Sequence, residues 1–391
     1  MKNNILFIGV ALVIFGCTQP VTYDLVIQNA GLFDGYDERG VVNIAINADT
    51  IAAISPGTLY GDSVIDATGK FIIPGLVNAH VHASQIAHLQ EGFPLGILTL
   101  LNMHTGMEDR ELGWKQLTRD SAGFSTLYGS GHAATVPGGH PTQFSPDMET
   151  INDSLFISDW INHRMAKKVD YIKIIREHHE WMGNPPLPTL NFDQIEQLIN
   201  EAHNKGYKAV IHANTVHEMV KIAEMGADGF VHMLDYKEDY PVPESYYKTL
   251  AENNVFVVTT GGLILKPMEG MPPFVIEWVE QNVLDATQRA EIIKKMHDYG
   301  ILLVAGTDAQ EGQMDFGEDY FLELELYKMA GLPNIEILKT ATGNAAKAFD
   351  LPIGEIKPGA RADMVMLAGN PIENIENLRK VEQVWKNGKA H

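Results

Sequence analysis

Short apolar runs alternate with longer amphipathic stretches through the middle of the chain, and this alternation predicts βαβ units and a parallel sheet. The clearest stretch reads as helix 192–205, strand 207–212, helix 216–225 and strand 229–232. The same reading places further strands at 75–80, 96–101, 123–128, 171–175, 255–259 and 302–307. Eight strands with intervening helices fit the count of a (β/α)8 barrel. At both ends the pattern changes to short β-rich runs separated by Gly, Asp and Asn turns, at 23–29, 41–47 and 50–54 and again at 354–362, 363–367 and 381–387. The expected fold is therefore α/β: a (β/α)8 TIM barrel over residues 74–350, with a small discontinuous β-sandwich domain built from 21–73 and 351–391.

Length and charge narrow the reading. The 391 residues exceed the roughly 250 of a bare barrel and leave room for a companion domain. A formal net charge of −21, with no basic run, argues against nucleic acid or an anionic lipid surface as partner. Residues 1–17 have the pattern of a signal peptide: one lysine in the first four residues, an apolar run over 5–15, then Gly16-Cys17. The run is too short to span a bilayer comfortably. Ile14-Phe15-Gly16-Cys17 resembles a bacterial lipobox, with Phe15 standing where small residues are usual. That resemblance implies an acylated Cys17 and an exported chain held at the outer membrane through its N-terminal lipid alone. Cys17 is the one cysteine, so no intramolecular disulfide can form.

Barrel enzymes carry their chemistry at the C-terminal ends of the strands, and here those ends deliver metal-ligand types. The first strand ends in His80-Val81-His82, whose imidazoles share one side by the period of two. Lys173 lies within the apolar run of the fourth, His212 and His232 end the fifth and sixth, and Asp308 follows the eighth. An isolated HxH is weak evidence, and each of the others alone reads as a satisfied polar residue or a snorkelling lysine. Six ligand-competent residues on five strand ends are harder to assign to chance.

The order HxH, Lys, His, His, Asp resembles that of the binuclear amidohydrolase superfamily. FIIPGLVNAHVH (71–82) resembles the family's approach to the first strand, with Asn78 where aspartate is usual, while TATGNAAKA (340–348) and GEIKPGARAD (354–363) resemble its exit from the barrel. The nearest branch is the imidazolonepropionase-like and prolidase-like one. The resemblance implies two divalent ions, zinc by default with manganese or cobalt also suited, and a carbamate formed from carbon dioxide on Lys173 that bridges them. By the same implication His80, His82 and Asp308 hold the first ion, and His212 and His232 the second. A hydroxide between the ions would attack a carbonyl carbon, with Asp308 accepting its proton and passing it to the departing nitrogen.

Substrate contacts are expected on loops. In the glycine-rich loop 129–144, His140 is favoured over His132, and Tyr236 lies just beyond His232. Arg176 and the run Glu177-His178-His179-Glu180 can face either the pocket or solvent, with a solvated charged stretch favoured, and the loop 261–274 reads as an apolar rim or lid. The expected substrate is a small amide: an N-acyl amino acid, an X-Pro dipeptide or a cyclic amide. Three alternatives stand beside it: a one-metal deaminase, a lactone or ester hydrolase on the same scaffold, and a non-catalytic binding lipoprotein. Ala213-Asn214-Thr215 after His212 counts against deamination, for which an acidic residue is expected there. A homo-oligomer stays open.

Overall fold

The computed structural model describes residues 21–152, 155–177 and 185–391. The first five strands are β1 (Thr22–Phe33), β2 (Glu38–Asn47), β3 (Thr50–Ser55), β4 (Tyr60–Asp66) and β5 (Phe71–Pro74). Then follow β6 (Leu76–His82), β7 (Ile97–Asn102), β8 (Thr126–Gly129), β9 (Ile172–Ile175), β10 (Ala209–His212), β11 (Gly229–Phe230), β12 (Phe256–Val258), β13 (Leu302–Val304) and β14 (Ala309–Gln310). The chain ends in β15 (Met364–Leu367), β16 (Val381–Lys386) and β17 (Lys389–Ala390).

Each of the eight strand positions expected in the middle of the chain holds a strand, shorter than its apolar run in most cases, and all pair in parallel. They form two parallel sheets, β9-β10-β11-β12-β13 and β14-β6-β7-β8, and not one uninterrupted ladder. At one seam β8 gives way to a turn in which Gly131 adopts φ +65°. Pairing resumes at Ala134, whose N–H donates to Lys173 O at 2.8 Å and whose carbonyl accepts from Ile175 N–H at 3.0 Å. At the other seam Ala79 N–H donates to Ala305 O, and Asp308 N–H to His80 O, both at 2.9 Å.

Alternation decides what each strand offers. Ile172, Ile174, Ala209 and Ile211 face the helices in one apolar cluster. Val210 and Val231 belong to a second cluster inside the strands, closed at the strands' N-terminal end by Ala345, Ala346, Ala348 and Phe349 of the helix Gly343–Phe349. With its neighbours Ile172 and Ile174 turned to the helices, Lys173 faces inward, and so does His212 beside Ile211. The helix Phe192–Asn204 buries Ile195, Leu198, Ile199 and Ala202, one stripe at helical spacing, and starts in a capping box between Asn191 and Gln194.

Both chain ends meet in one eight-stranded mixed sheet of order β17-β16-β15-β5-β1-β2-β3, with β4 on β1. The pairing shows one hydrogen-bonded sheet and does not by itself confirm a sandwich of two layers. The two halves of β1 pair in parallel with β4 and β5, and β5 pairs antiparallel with β15, so strands from both ends run into one ladder. Residues 354–362, expected to share the strand idiom, form turns, and Arg361 makes an isolated bridge to Thr50. Among the described residues no helix is long and apolar enough to cross a membrane. Cys17 and the expected signal segment lie outside the described residues.

Candidate metal centre

β6 ends in His80-Val81-His82, and Asp308 lies beside it on the turn after β13. His80 is fully buried, and its Nδ1 bonds to Val231 O at 2.7 Å. A carbonyl only accepts, so Nδ1 carries the proton and Nε2 the lone pair. Burial pushes the His80 imidazole down to about 3 despite Asp308, so it is neutral near neutral pH. Its Nε2 lies 3.3 Å from His82 Nε2 and 3.2 Å from Asp308 Oδ1, and His82 Nε2 is 3.1 Å from the same oxygen. Ligands about 2.0–2.1 Å from a tetrahedral zinc stand roughly 3.3 Å apart, so this triangle has the size of one face of such a site. Burial alone would raise the Asp308 carboxyl, yet His80 and His82 hold it well below the usual carboxylate range.

The turn is built for this approach. Asp308 has φ +59°, uncommon for a residue with a side chain. Asn78, fully buried, accepts from Thr307 N–H at 3.1 Å and donates to Thr307 Oγ1 at 2.8 Å, fastening the residue before Asp308 to β6. A Cβ on Gly306 would stand 2.8 Å from His80 N, so only glycine lets the two segments come this close.

A second donor group adjoins the first. The His232 ring lies 4.7 Å from that of His80 and 4.4 Å from that of His212, centroid to centroid. His212 Nε2 donates to Glu177 Oε2 at 2.8 Å, which leaves the lone pair on Nδ1. His232 Nδ1 is 2.8 Å from Thr260 Oγ1. Donation from Nδ1 to that hydroxyl leaves Nε2 free. His80 and His212 therefore each give one ring nitrogen to a protein acceptor and keep the other available, and His232 has its Nδ1 engaged by a hydroxyl, the arrangement in which metal-binding imidazoles are held. Lys173 is buried among them, and burial lowers its amine to about 7 against the pull of Asp308.

The expected substrate residues sit on the same side. The His140 ring is 5.5 Å from that of His212, its Nδ1 accepts from Gln143 at 2.7 Å, and burial with His212 nearby pushes it down to about 3. Tyr236 is buried near Asn214 and Glu177, with its ring 6.5 Å from Trp278. His132 instead joins a structural network: its N–H donates to Glu108 and its Nδ1 accepts from Glu149 N–H.

Two readings change. Glu177 is not part of a solvated run but partners His212; the alternation that turns Lys173 inward also reaches residue 177, a signal present in the sequence. His178, His179 and Glu180 lie outside the described residues. Arg176 turns away, bonded to Glu218 at 2.6 Å and stacked over Phe192 at 4.2 Å. In the loop 261–274, Leu263 and Leu265 pack against the core while Met271 and Phe274 are exposed. Thr260 was not anticipated, because nothing local marks a threonine as the partner of a histidine 28 residues earlier.

A family model for the amidohydrolase family matches residues 158–391. The 5-methylthioadenosine/S-adenosylhomocysteine deaminase of Haloarcula marismortui is 23% identical over 89% of this chain and 82% of its own. The 5'-deoxyadenosine deaminase of Methanosarcina mazei is 23% identical over 88% and 84%. Among solved structures, a Xaa-Pro dipeptidase with bound methionine superposes with TM-score 0.77 at 20% identity, covering 94% of this chain and 99% of that one. Molinate hydrolase gives 0.77 at 19% identity, with 94% of each chain covered. At such identities the two structures speak to the fold.

Proposed function

The chain belongs to the amidohydrolase family and is a hydrolase acting on carbon–nitrogen bonds; on that premise we propose that it cleaves a small amide with two divalent ions. In this reading the two parallel sheets, bonded at both seams, make up a (β/α)8 barrel whose companion is the sheet of residues 21–73 and 351–391. His80, His82 and Asp308 would hold the first ion and His212 and His232 the second, with Lys173 supplying a carbamate as their common ligand. The observation that carries the proposal is the set of occupied ring nitrogens, each leaving a lone pair inside one cluster. When bound, the ions supply an activated water and a Lewis acid for the carbonyl oxygen, with zinc suited to imidazole and carboxylate donors and manganese or cobalt also compatible.

The chain's own groups do the rest. Lys173 offers an amine poised near neutral pH in a buried place, and only a neutral amine adds to carbon dioxide. Asp308 stays ionised, so it can take the proton of the attacking water and return it to the departing nitrogen. His140 and Tyr236 flank the second group, which supports reading them as substrate contacts. N-acyl amino acids, X-Pro dipeptides and cyclic amides are the proposed substrates, and release of the amine from one of them by the zinc- or manganese-loaded chain is the test. The names of the curated relatives favour a second reading, deamination. Ammonia released from an adenine nucleoside, with no amide cleaved, would decide for it. We also propose export and a lipid on Cys17, for which the apolar run before it is the support; a Cys17→Ala chain should then leave the membrane fraction.

A further inference from the structure

We infer that Glu323 is a positioning residue for His232, acting through Thr260; the inference rests on the two-ion reading for its consequence but not for its geometry. Glu323 lies on the helix Tyr320–Met329 and is fully buried. One of its carboxylate oxygens accepts from Thr259 Oγ1, and the other accepts from Gly262 N–H at 2.6 Å. A single carboxylate thus grips the chain on both sides of the 260–261 pair. Tyr327, one turn further along the helix, places its hydroxyl 2.6 Å from the same Thr259 oxygen. A Cβ on Gly262 would stand 2.5 Å from Glu323 N, so the loop lies directly on the helix backbone.

The residue held between these grips has a conformation it would not choose. Thr260 has φ +47°, and among the described non-glycine residues with positive φ it alone is β-branched. Such a residue is a genuine outlier and persists only where its surroundings over-determine it. Its hydroxyl is thereby aimed at His232 Nδ1, 2.8 Å away. Donation from Nδ1–H to that oxygen selects one neutral tautomer, with the lone pair on Nε2. Without Glu323 the backbone at Thr260 is free to relax toward negative φ, the hydroxyl swings off His232, and the ring loses both its tautomer and its orientation. The helix therefore sets a ligand it never touches.

The test uses the full chain, stripped of metal and titrated with zinc against a competing chelator, together with imidazole nitrogen NMR of the metal-free protein. In Glu323→Ala we expect the zinc of His212 and His232 to lose about 10- to 100-fold in affinity while the zinc of His80, His82 and Asp308 is held as before. Thr260→Val should reproduce that loss, and the double variant should be no worse than the poorer single one, because the two act in series. Glu323→Gln, whose amide oxygen still accepts from Gly262 N–H, should recover most of the affinity. Equal loss of both ions, an additive double variant, or no change in Thr260→Val overturns the inference. If Glu323→Ala does not fold, Thr260→Val and Glu323→Gln carry the same comparison. A wild-type chain that binds one zinc overturns the two-ion reading alone. The NMR separates the two: His232 protonated on Nδ1 in wild type and mixed in Thr260→Val supports the positioning, and His232 protonated on Nε2 in wild type overturns it.

Discussion

Asp308 has two tasks in the proposed chemistry, ligand and proton carrier, and asparagine can keep part of the first but none of the second. Asp308→Asn should therefore lower kcat by at least about 100-fold, with KM for the same amide little changed; near-normal turnover would remove Asp308 from the proton path. Glu177 is the second residue to probe. Its carboxylate accepts the hydrogen bond from His212 Nε2–H, so Glu177→Ala should weaken zinc by about 10- to 100-fold, as read by chelator competition. An unchanged affinity would mean that His212 keeps its tautomer without help. His80, His82, His212 and His232 were legible because each stands at or just beyond the end of an apolar strand, where alternation aims it; Asp308 was legible as the first acid after such a run, while a turn at φ +59° fastened by Asn78 aims it. Glu177 and Thr260 were not read, since their roles depend on neighbours 35 and 28 residues away, brought close by strand order.

The elements were legible wherever burial imposes a period. Helix 192–205 was expected and Phe192–Asn204 is found, its stripe of Ile195, Leu198, Ile199 and Ala202 and its Asn191 cap both visible in the sequence. Asn191→Ala removes the side-chain acceptor for Gln194 N–H, and we expect it to cost about 0.5–2 kcal/mol in denaturant unfolding. Strand ends were less legible: β11 and β12 pair over two and three residues, and past β11 the apolar run continues in buried Val231, Met233 and Leu234 without pairing as strand. The companion sheet shows a further limit. Periodicity identified five of its strands, missed β4, β5 and β17, and said nothing of which strand pairs with which. Another buried acid ties the elements together. Glu111, on the helix Glu108–Asp120, accepts from Asn102 at the end of β7 at 2.6 Å and from Gly131 N–H after β8 at 3.0 Å. Burial raises its carboxyl from 4.5 to about 7, against Asn102, Lys115 and the Gly131 N–H. A folded pKa above the unfolded one gives stability that is complete below about 4.5 and is lost as pH rises through about 7. The melting-temperature advantage of wild type over Glu111→Gln should therefore shrink between about pH 5 and about pH 8. A constant gap would mean that Glu111 does not titrate in that window.

At the scale of the whole molecule, the strands bring together donors from five segments, residues 80–82, 173, 212, 232 and 308, that no local stretch could assemble. Ions that bind only this folded arrangement stabilise it by mass action, so stripping them should lower the melting temperature and zinc should restore it. The most direct measurement is elemental analysis of the purified chain beside Lys173→Ala, both expressed with zinc and bicarbonate. Two ions per chain in wild type, with a fall in the variant, is the expected result. One ion or none, unchanged when Lys173 is removed, would contradict the bridged site.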